Sequence, residues 1–311
     1  MSQGYQKRDR AIVDYQLWQP NHTGDGARCD WLRGPAPPSL ESGSYFACVG
    51  AAQTFGCLVK RPWPQLLSDE LNLPALNLGV AGAGPALFRG APYLELIRGA
   101  RFVVFQVMSG RSADCSKFAS GGRERLQLAD GRVLGADAAW SELLHQDLSA
   151  HSNALLRGLK NRWLAAFGRQ EVRRLIEETR DNWVDEFLAL IEEAARPSAL
   201  LWFSKRSPTY RARLQSLQAL FGEFPQLVND RMVQAVAERA EHYVECVTSH
   251  GSPEVLATPV RPADAGTGEP EDQIWSQNNY YPSTEMHGDA ARALESAATA
   301  MLRATESPSG R

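Results

Sequence analysis

The sequence predicts an α/β protein: a three-layer, doubly wound and mostly parallel sheet, with a mainly helical insertion after the third strand. Three observations predict it. Between residues 45 and 109, short apolar runs alternate with helical patterns at the spacing of parallel βαβ units. From 115 to about 196, apolar residues recur at helical spacing instead. After 198 the strand–helix rhythm returns.

The elements follow in order. Residues 1–44, with "WQPNHTGDGARCDWLRGPAPPSLESGS", are rich in Pro, Gly and polar groups and read as an irregular leader wrapped over the domain. "YFACVG" ends an apolar run in glycine, as a buried strand does. In "PWPQLLSDEL" a proline sits in the first helical turn, and Leu66, Leu67 and Leu71 share a face. "PALNLGV" is a second strand, "ALFRGAPYLELI" a broken helix and "ARFVVFQVM" a third strand. The insertion opens with "FASGGRERLQLADGRVLG", whose DG turn between alternating residues predicts a hairpin. "AAWSELLHQDL", "SNALLRGLKNRWLAAF" and "QEVRRLIEETRDNWVDEFLALIEEAAR" are helical. In the last, Val172, Leu175, Ile176, Trp183, Phe187, Leu190 and Ile191 read as core. "SALLWFS" and "EHYVECVTS" are strands, with a helix between them capped at Asn229. A polar loop, 262–274, precedes a closing helix from Met286. The whole reads as one domain over 45–303, insertion 115–196, with a flexible tail at 304–311.

Bulk composition narrows the function. Of 311 residues, 43% are hydrophobic and 22% charged, and the net charge is −3. That balance argues against a broad nucleic-acid or anionic-membrane surface. The amino terminus lacks the apolar core of a secretory signal, and no apolar run is long enough to span a bilayer. Five scattered cysteines without a CxxC pair indicate neither a metal knuckle nor a disulfide framework. The expectation is a cytoplasmic protein without metal or cofactor.

Four blocks carry a resemblance. Gly50-Ala51-Ala52-Gln53-Thr54-Phe55-Gly56 sits on a strand-to-helix turn. Asn77-Leu78-Gly79-Val80-Ala81-Gly82 follows the second strand, "QVMSGRSADC" the third, and "YYPSTEMHGDAA" leads into the last helix. Together they resemble a degenerate form of the SGNH, or GDSL-type, hydrolases, whose fold is flavodoxin-like. Gly50, Thr54 and Gly56 match the first block, G-D-S-x-T-x-G, but Ala51 stands in the Asp place and Ala52 in the Ser place. The second block, N-x-G-x-x-G, is complete, and its last glycine, Gly82, is implied as an oxyanion donor. The third block has no clean match. The last, D-x-x-H, keeps His287 with Thr284 in the Asp place. The run of motifs also resembles a bacterial family of unknown function. That likeness implies surroundings of sulfotransferase and cell-surface polysaccharide chemistry.

An alanine at 52 has no heteroatom with which to attack a carbonyl, so ordinary ester hydrolysis is not expected. Two readings stay open. In one, an acyl- or sulfuryl-group transferase acts on a glycan or other hydroxyl acceptor. His287 is the general base, and the donor is held by Arg111 and the strand-end turns. Ser109 or Ser112 is a candidate relocated nucleophile, and Cys115 a remoter one. In the other, the chain is a non-catalytic binder of an anionic or carbohydrate ligand. Its contacts are Ala52, Gln53, Thr54, Gly82, Gly84, Ser112 and Tyr281, with the helix start after the first strand favouring an anion. Thr54 equally reads as a helix cap, and the tyrosines as packing anchors. Two roles stay open for the insertion, a lid and a homodimer surface.

Overall fold

The computed structural model describes residues 12–20, 29–149, 159–209, 211, 213, 216–260 and 275–306. Strand β1 (Phe46–Gly50) is buried along its whole length and runs into a one-turn helix, α1 (Ala52–Phe55). Helix α2 (Trp63–Leu71) carries Pro64 in its first turn, where a missing N–H costs nothing. Strand β2 (Ala75–Gly79) follows, then a 3₁₀ turn at Pro85–Arg89 and helix α3 (Tyr93–Gly99), the two halves of the broken helix. Strand β3 (Val103–Gln106) ends the first half.

The insertion starts with three antiparallel strands rather than a two-stranded hairpin. These are β4 (Phe118–Ala119), β5 (Arg125–Leu128) and β6 (Val133–Gly135), with the DG turn between the last two. Helix α4 (Ala136–Ser149) and the long α5 (Leu159–Ala194) complete it. Strand β7 (Ser198–Ser204) returns to the sheet, followed by α6 (Leu217–Phe221) and α7 (Asp230–Ala237). Asn229 caps α7 by accepting the Met232 N–H. Strand β8 (His242–Val247) is the sheet's last member. An antiparallel pair, β9 (Glu254–Val260) and β10 (Trp275–Asn278), precedes the closing helix α8 (Thr284–Glu306). That pair has no clear signature in the sequence. The predicted loop 262–274, the helical stretch 152–158, residues 307–311 and the side chain of Trp275 lie outside the described residues.

The sheet order is β2-β1-β3-β7-β8, with every pairing parallel. Side chains alternate between its faces, and the two faces have separate cores. Ala47, Val49, Val103, Phe105, Leu200 and Trp202 face α3, α5 and α7. Phe46, Cys48, Val104, Ala199, Leu201 and Phe203 face α2 and α8. Burying each large side chain contributes roughly 1.5–3 kcal/mol. All seven residues read as core in α5 are buried, but they divide. Val172 and Ile176 pack with Phe118 and Trp140 of the insertion and with Phe221 of α6, while Trp183, Phe187, Leu190 and Ile191 pack on the sheet. One helix therefore fixes the insertion to the domain.

The chain leaves β1 toward β2 on one side and toward β3 on the other. In such sheets the crevice outside the carboxyl ends, where the order reverses, is the usual ligand site.

Candidate functional site

The turn after β1 is held by a residue the motif reading missed. Gln106, at the end of β3, is fully buried. Its Oε1 accepts the Ala51 N–H at 3.1 Å and the Thr54 hydroxyl at 3.2 Å, and its Nε2 donates to the Val107 carbonyl. Thr54 thus braces the turn; it is fully buried and does not cap α1. Asn77 does the same from β2, donating to the Thr54 carbonyl and accepting the Gly79 N–H, both at 2.9 Å.

Ala52, in the Ser place, is 7% exposed. Its methyl belongs to an apolar cluster with Val13, Tyr15, Phe55 and Cys57, against which Tyr281 and Ala81 pack. The leader seals this position. Tyr15 accepts the Leu58 N–H, and Arg33 donates to the carbonyls of Gly56, Val59 and Lys60 with its guanidinium 4.7 Å from the Tyr15 ring centroid. Tyr281 therefore packs against the cluster that encloses Ala52.

The β2 side of the crevice is filled by the protein itself. Arg111, expected as a charged fork for an anionic ligand, is bound by Asp137 at 2.7 Å and Glu124 at 3.1 Å. Two carboxylates already match its charge. Gly82 has φ +68°, and a Cβ there would lie 2.5 Å from Glu124 Cβ. Its openness serves the hairpin. Gly84 donates its N–H to the Gly122 carbonyl at 2.8 Å. Ser109 accepts the Arg111 N–H and caps the turn. Ser112 is fully buried, with no partner for its hydroxyl among the described residues. Burial raises the Cys115 thiol above its ordinary pKa, which weakens it as a nucleophile.

His287, expected just before the last helix, lies within its first turn and is 0% exposed. Its Nδ1 accepts the Trp63 N–H at 3.1 Å, capping α2, and its ring meets Phe203 edge-on. Burial, reinforced by the charge of Arg33, lowers its pKa to about 3. The neutral ring therefore carries its proton on Nε2, which has no partner among the described residues. Thr284, in the Asp place, donates instead to Glu254 at 2.6 Å. These facts remove what the transferase reading required of His287.

The β7 side is open. A cavity of about 260 Å³ lies between the β1 turn, the end of β7 and the segment before α8. Gln53 forms part of its wall at 2% exposure, and its Oε1 has no partner among the described residues. Gln226, 6% exposed, faces the same space. Its Nε2 donates to the Tyr280 hydroxyl at 3.3 Å, and its Oε1 is also unmet. Phe203, Phe224, Pro282 and Met286 supply apolar wall. Lys205 lines it too, but its Nζ donates to the Asn279 carbonyl at 2.7 Å. A larger cavity, about 450 Å³, lies where the chain enters β2. Its one deeply buried polar side chain, Asn77, is bonded at both ends. No group of three or more His, Cys, Asp or Glu fit to hold a metal occurs among the described residues. Nor is any described helix long and apolar enough to cross a membrane.

Over residues 25–302 the sequence matches a family model, and the chain belongs to that family, described as "Domain of unknown function (DUF6473)". No curated protein matches it. Solved structures similar to it include a provisional SGNH hydrolase from Slackia heliotrinireducens: 16% identity, TM-score 0.35, 82% of this chain and 98% of that one. Another is a carbohydrate acetylesterase family member from Sinorhizobium meliloti, at 12% identity and TM-score 0.35, covering 84% and 99%. A third is the lipase Lip_vut3 from a goat rumen metagenome, at 10% identity and TM-score 0.38, covering 84% and 97%.

Proposed function

We propose that this chain is a non-hydrolytic binding protein that holds a small, uncharged polar ligand in the cavity between Gln53 and Gln226. The observation that carries the reading is the Gln53 side chain. Gln53 is almost wholly buried and lines an open space, and its amide oxygen has no partner among the described residues. An unmet buried polar group costs about 1–3 kcal/mol, which a ligand offering a hydrogen bond would recover. The hydrolytic parts support the same reading by their condition. Position 52 is an alanine under an apolar cover, and His287 is a buried, neutral cap. Charge does not single out an anion, because Arg111 is matched by two acids and Lys205 shares the lining of the cavity with Glu223. A transferase needs a base that reaches its acceptor, and the closed ring of His287 weighs against that.

The test joins an activity assay to a binding one. Turnover of p-nitrophenyl acetate is expected to stay at buffer background. In two-dimensional NMR, the side-chain amide signals of Gln53 and Gln226 are expected to move when a small neutral polar compound is added. Ester turnover by the wild type, or still amide signals across a panel of glucose, benzamide and benzyl alcohol, overturns the reading.

A further inference from the structure

We propose that Glu186 and Asp114 form a proton-operated latch that holds the β4–β6 hairpin on the β2 side of the crevice. The geometry is a chain of contacts from α5 to the crevice. On α5, Asn182 donates to the Asp114 carbonyl at 3.0 Å, so Asp114 lies against this stretch of the helix. Glu186 is one turn further along the same face. Asp114 in turn grips the hairpin. Its Oδ1 accepts the Ser120 N–H at 2.6 Å and stands 2.8 Å from the Ser120 hydroxyl. That hydroxyl accepts the Gly122 N–H at 2.9 Å, and the Gly122 carbonyl accepts the Gly84 N–H at 2.8 Å. One thread of the hairpin's hold on the β2 side therefore passes through Asp114, and a second carboxylate stands on the helix face that Asp114 touches.

That second carboxylate is poorly served. Glu186 accepts the Ala86 N–H, but its Oε2 is buried without a partner among the described residues. The charged groups that face it are Asp114, Arg89 of the 3₁₀ turn and Asp185 on its own helix. Arg89, the cation of the three, is bound to Glu193. Burial and the Asp114 charge raise the Glu186 pKa to about 7. Protonated, Glu186 is neutral, and Asp114 keeps its contacts with both helix and hairpin. Ionised, it sets two like charges close together with Oε2 out of reach of water. The repulsion is relieved when Asp114 and the hairpin move off α5. The sign follows from linkage. A pKa above the ordinary 4.5 means that the closed form binds the proton more tightly than an opened one, so closure is strongest below about pH 4.5 and is lost as pH rises toward 7. Raising the hairpin draws Glu124 off Gly82 and Arg111, so the filled side of the crevice is the one that pH uncovers.

The test is amide hydrogen exchange by NMR on the full chain, in steps from pH 5.5 to 7.5, each rate divided by its intrinsic rate at that pH. Ser120, Gly122 and Gly84 are the reporters. Their protection is expected to fall about tenfold across the series, while that of Cys48 and Val104 in the main sheet stays constant. Glu186→Gln keeps an acceptor for Ala86 without the charge, and is expected to hold the high protection throughout. Asp114→Asn keeps Oδ1 for Ser120, and is expected to move the fall to lower pH. Exposed Glu295→Gln, on α8, leaves the wild-type profile unchanged. The carbon-13 signal of the Glu186 carboxyl is a check that needs no variant, with an expected midpoint near 7. Four results overturn the proposal: reporter protection that ignores pH in the wild type, a fall shared by Cys48 and Val104, a fall that persists in Glu186→Gln, or a Glu186 midpoint at the ordinary 4.5.

Discussion

The two sides of the crevice differ in who satisfies their polar groups. On the β2 side the protein answers its own needs. Arg111 is matched by Glu124 and Asp137, and Gly84 hands its N–H to Gly122. On the β7 side two buried glutamines carry unmet oxygens beside open volume. Both sides belong to one sheet edge, so sheet geometry does not cause the difference. The cause is the insertion. Its hairpin leans onto the β2 side and fills it, and it leaves the β7 side alone.

The sharpest way to break the comparison is to lift the hairpin. Gly122 has φ +73°, and a side chain there would overlap the Leu87 backbone nitrogen. Gly122→Ala should cost about 2–4 kcal/mol, from strain and overlap together. Limited proteolysis should then cut within residues 118–135. Gly131, at the hairpin's DG turn, has φ +85° but no neighbour within 4 Å. Gly131→Asn should cost less than about 1 kcal/mol. Equal losses from the two would mean that the hairpin does not press on the crevice.

The two sides should also answer acid in opposite senses. Glu186, on α5, accepts the Ala86 N–H next to the filled side, and burial and Asp114 raise its pKa to about 7. Folding therefore binds a proton, and this contribution grows as pH falls from about 7 toward 4.5, the ordinary value. His287, beneath the open side, is lowered to about 3 from 6.5. The unfolded chain takes up a proton below 6.5 that the folded one refuses, so stability is lost as pH falls through that window. At 1.36 kcal/mol per pKa unit, the His287 loss between pH 6.5 and 4.5 is on the order of 2–3 kcal/mol. The wild type should hold a nearly flat urea midpoint between those values. His287→Gln, which keeps an acceptor for Trp63, should make stability rise as pH falls. Glu186→Gln should make it drop. A wild-type midpoint that these variants leave unchanged at every pH would contradict both assignments.

Most of the fold was legible because burial writes itself in apolar runs. All five strands of the main sheet and the core face of α5 follow from that signal. The β9–β10 pair did not, because "EVLATPV" offers neither an apolar run nor a clean alternation: Val255 is exposed beside the buried Leu256. The site was half legible. The turn after β1 read as site-like, yet Ala51 and Thr54 are held by a distant glutamine, Gln106, that no local spacing reveals. Arg111 and Gly82 read as ligand contacts, since the sequence cannot show that Glu124 folds back onto them. His287 stands where the resemblance put it in the sequence, but it is 0% exposed. Only three-dimensional packing separates those two facts.

The alanine at 52 sharpens the comparison at a smaller scale. Ala52→Ser would place a hydroxyl among Val13, Tyr15 and Phe55, at a cost of about 1 kcal/mol where no partner waits. Turnover of p-nitrophenyl acetate should stay at background, because the His287 ring is 0% exposed and its Nδ1 already accepts the Trp63 N–H. Turnover restored by this one change would show that the ring opens to the crevice. Gln53→Leu should act in the other direction. Removing an orphaned amide in favour of apolar volume should raise the stability of the ligand-free protein by about 0.5–1 kcal/mol. A loss instead would mean that water or a bound compound already satisfies that amide.

The smallest effect concerns the ion pairs that close the β2 side. Arg111 is mostly buried, but Glu124 and Asp137 are more than half exposed, so solvent screens them. A double-mutant cycle of Arg111→Ala with Glu124→Ala should return a coupling of about 0.5 kcal/mol, falling as salt is raised. So weak a coupling would place the closure in the glycine contacts, Gly82 under Glu124 and Gly122 over Leu87, with charge only tuning it. A coupling above about 2 kcal/mol would reverse that order. The filled side would then be held shut by charge, and a competing anion of sufficient strength would reopen it.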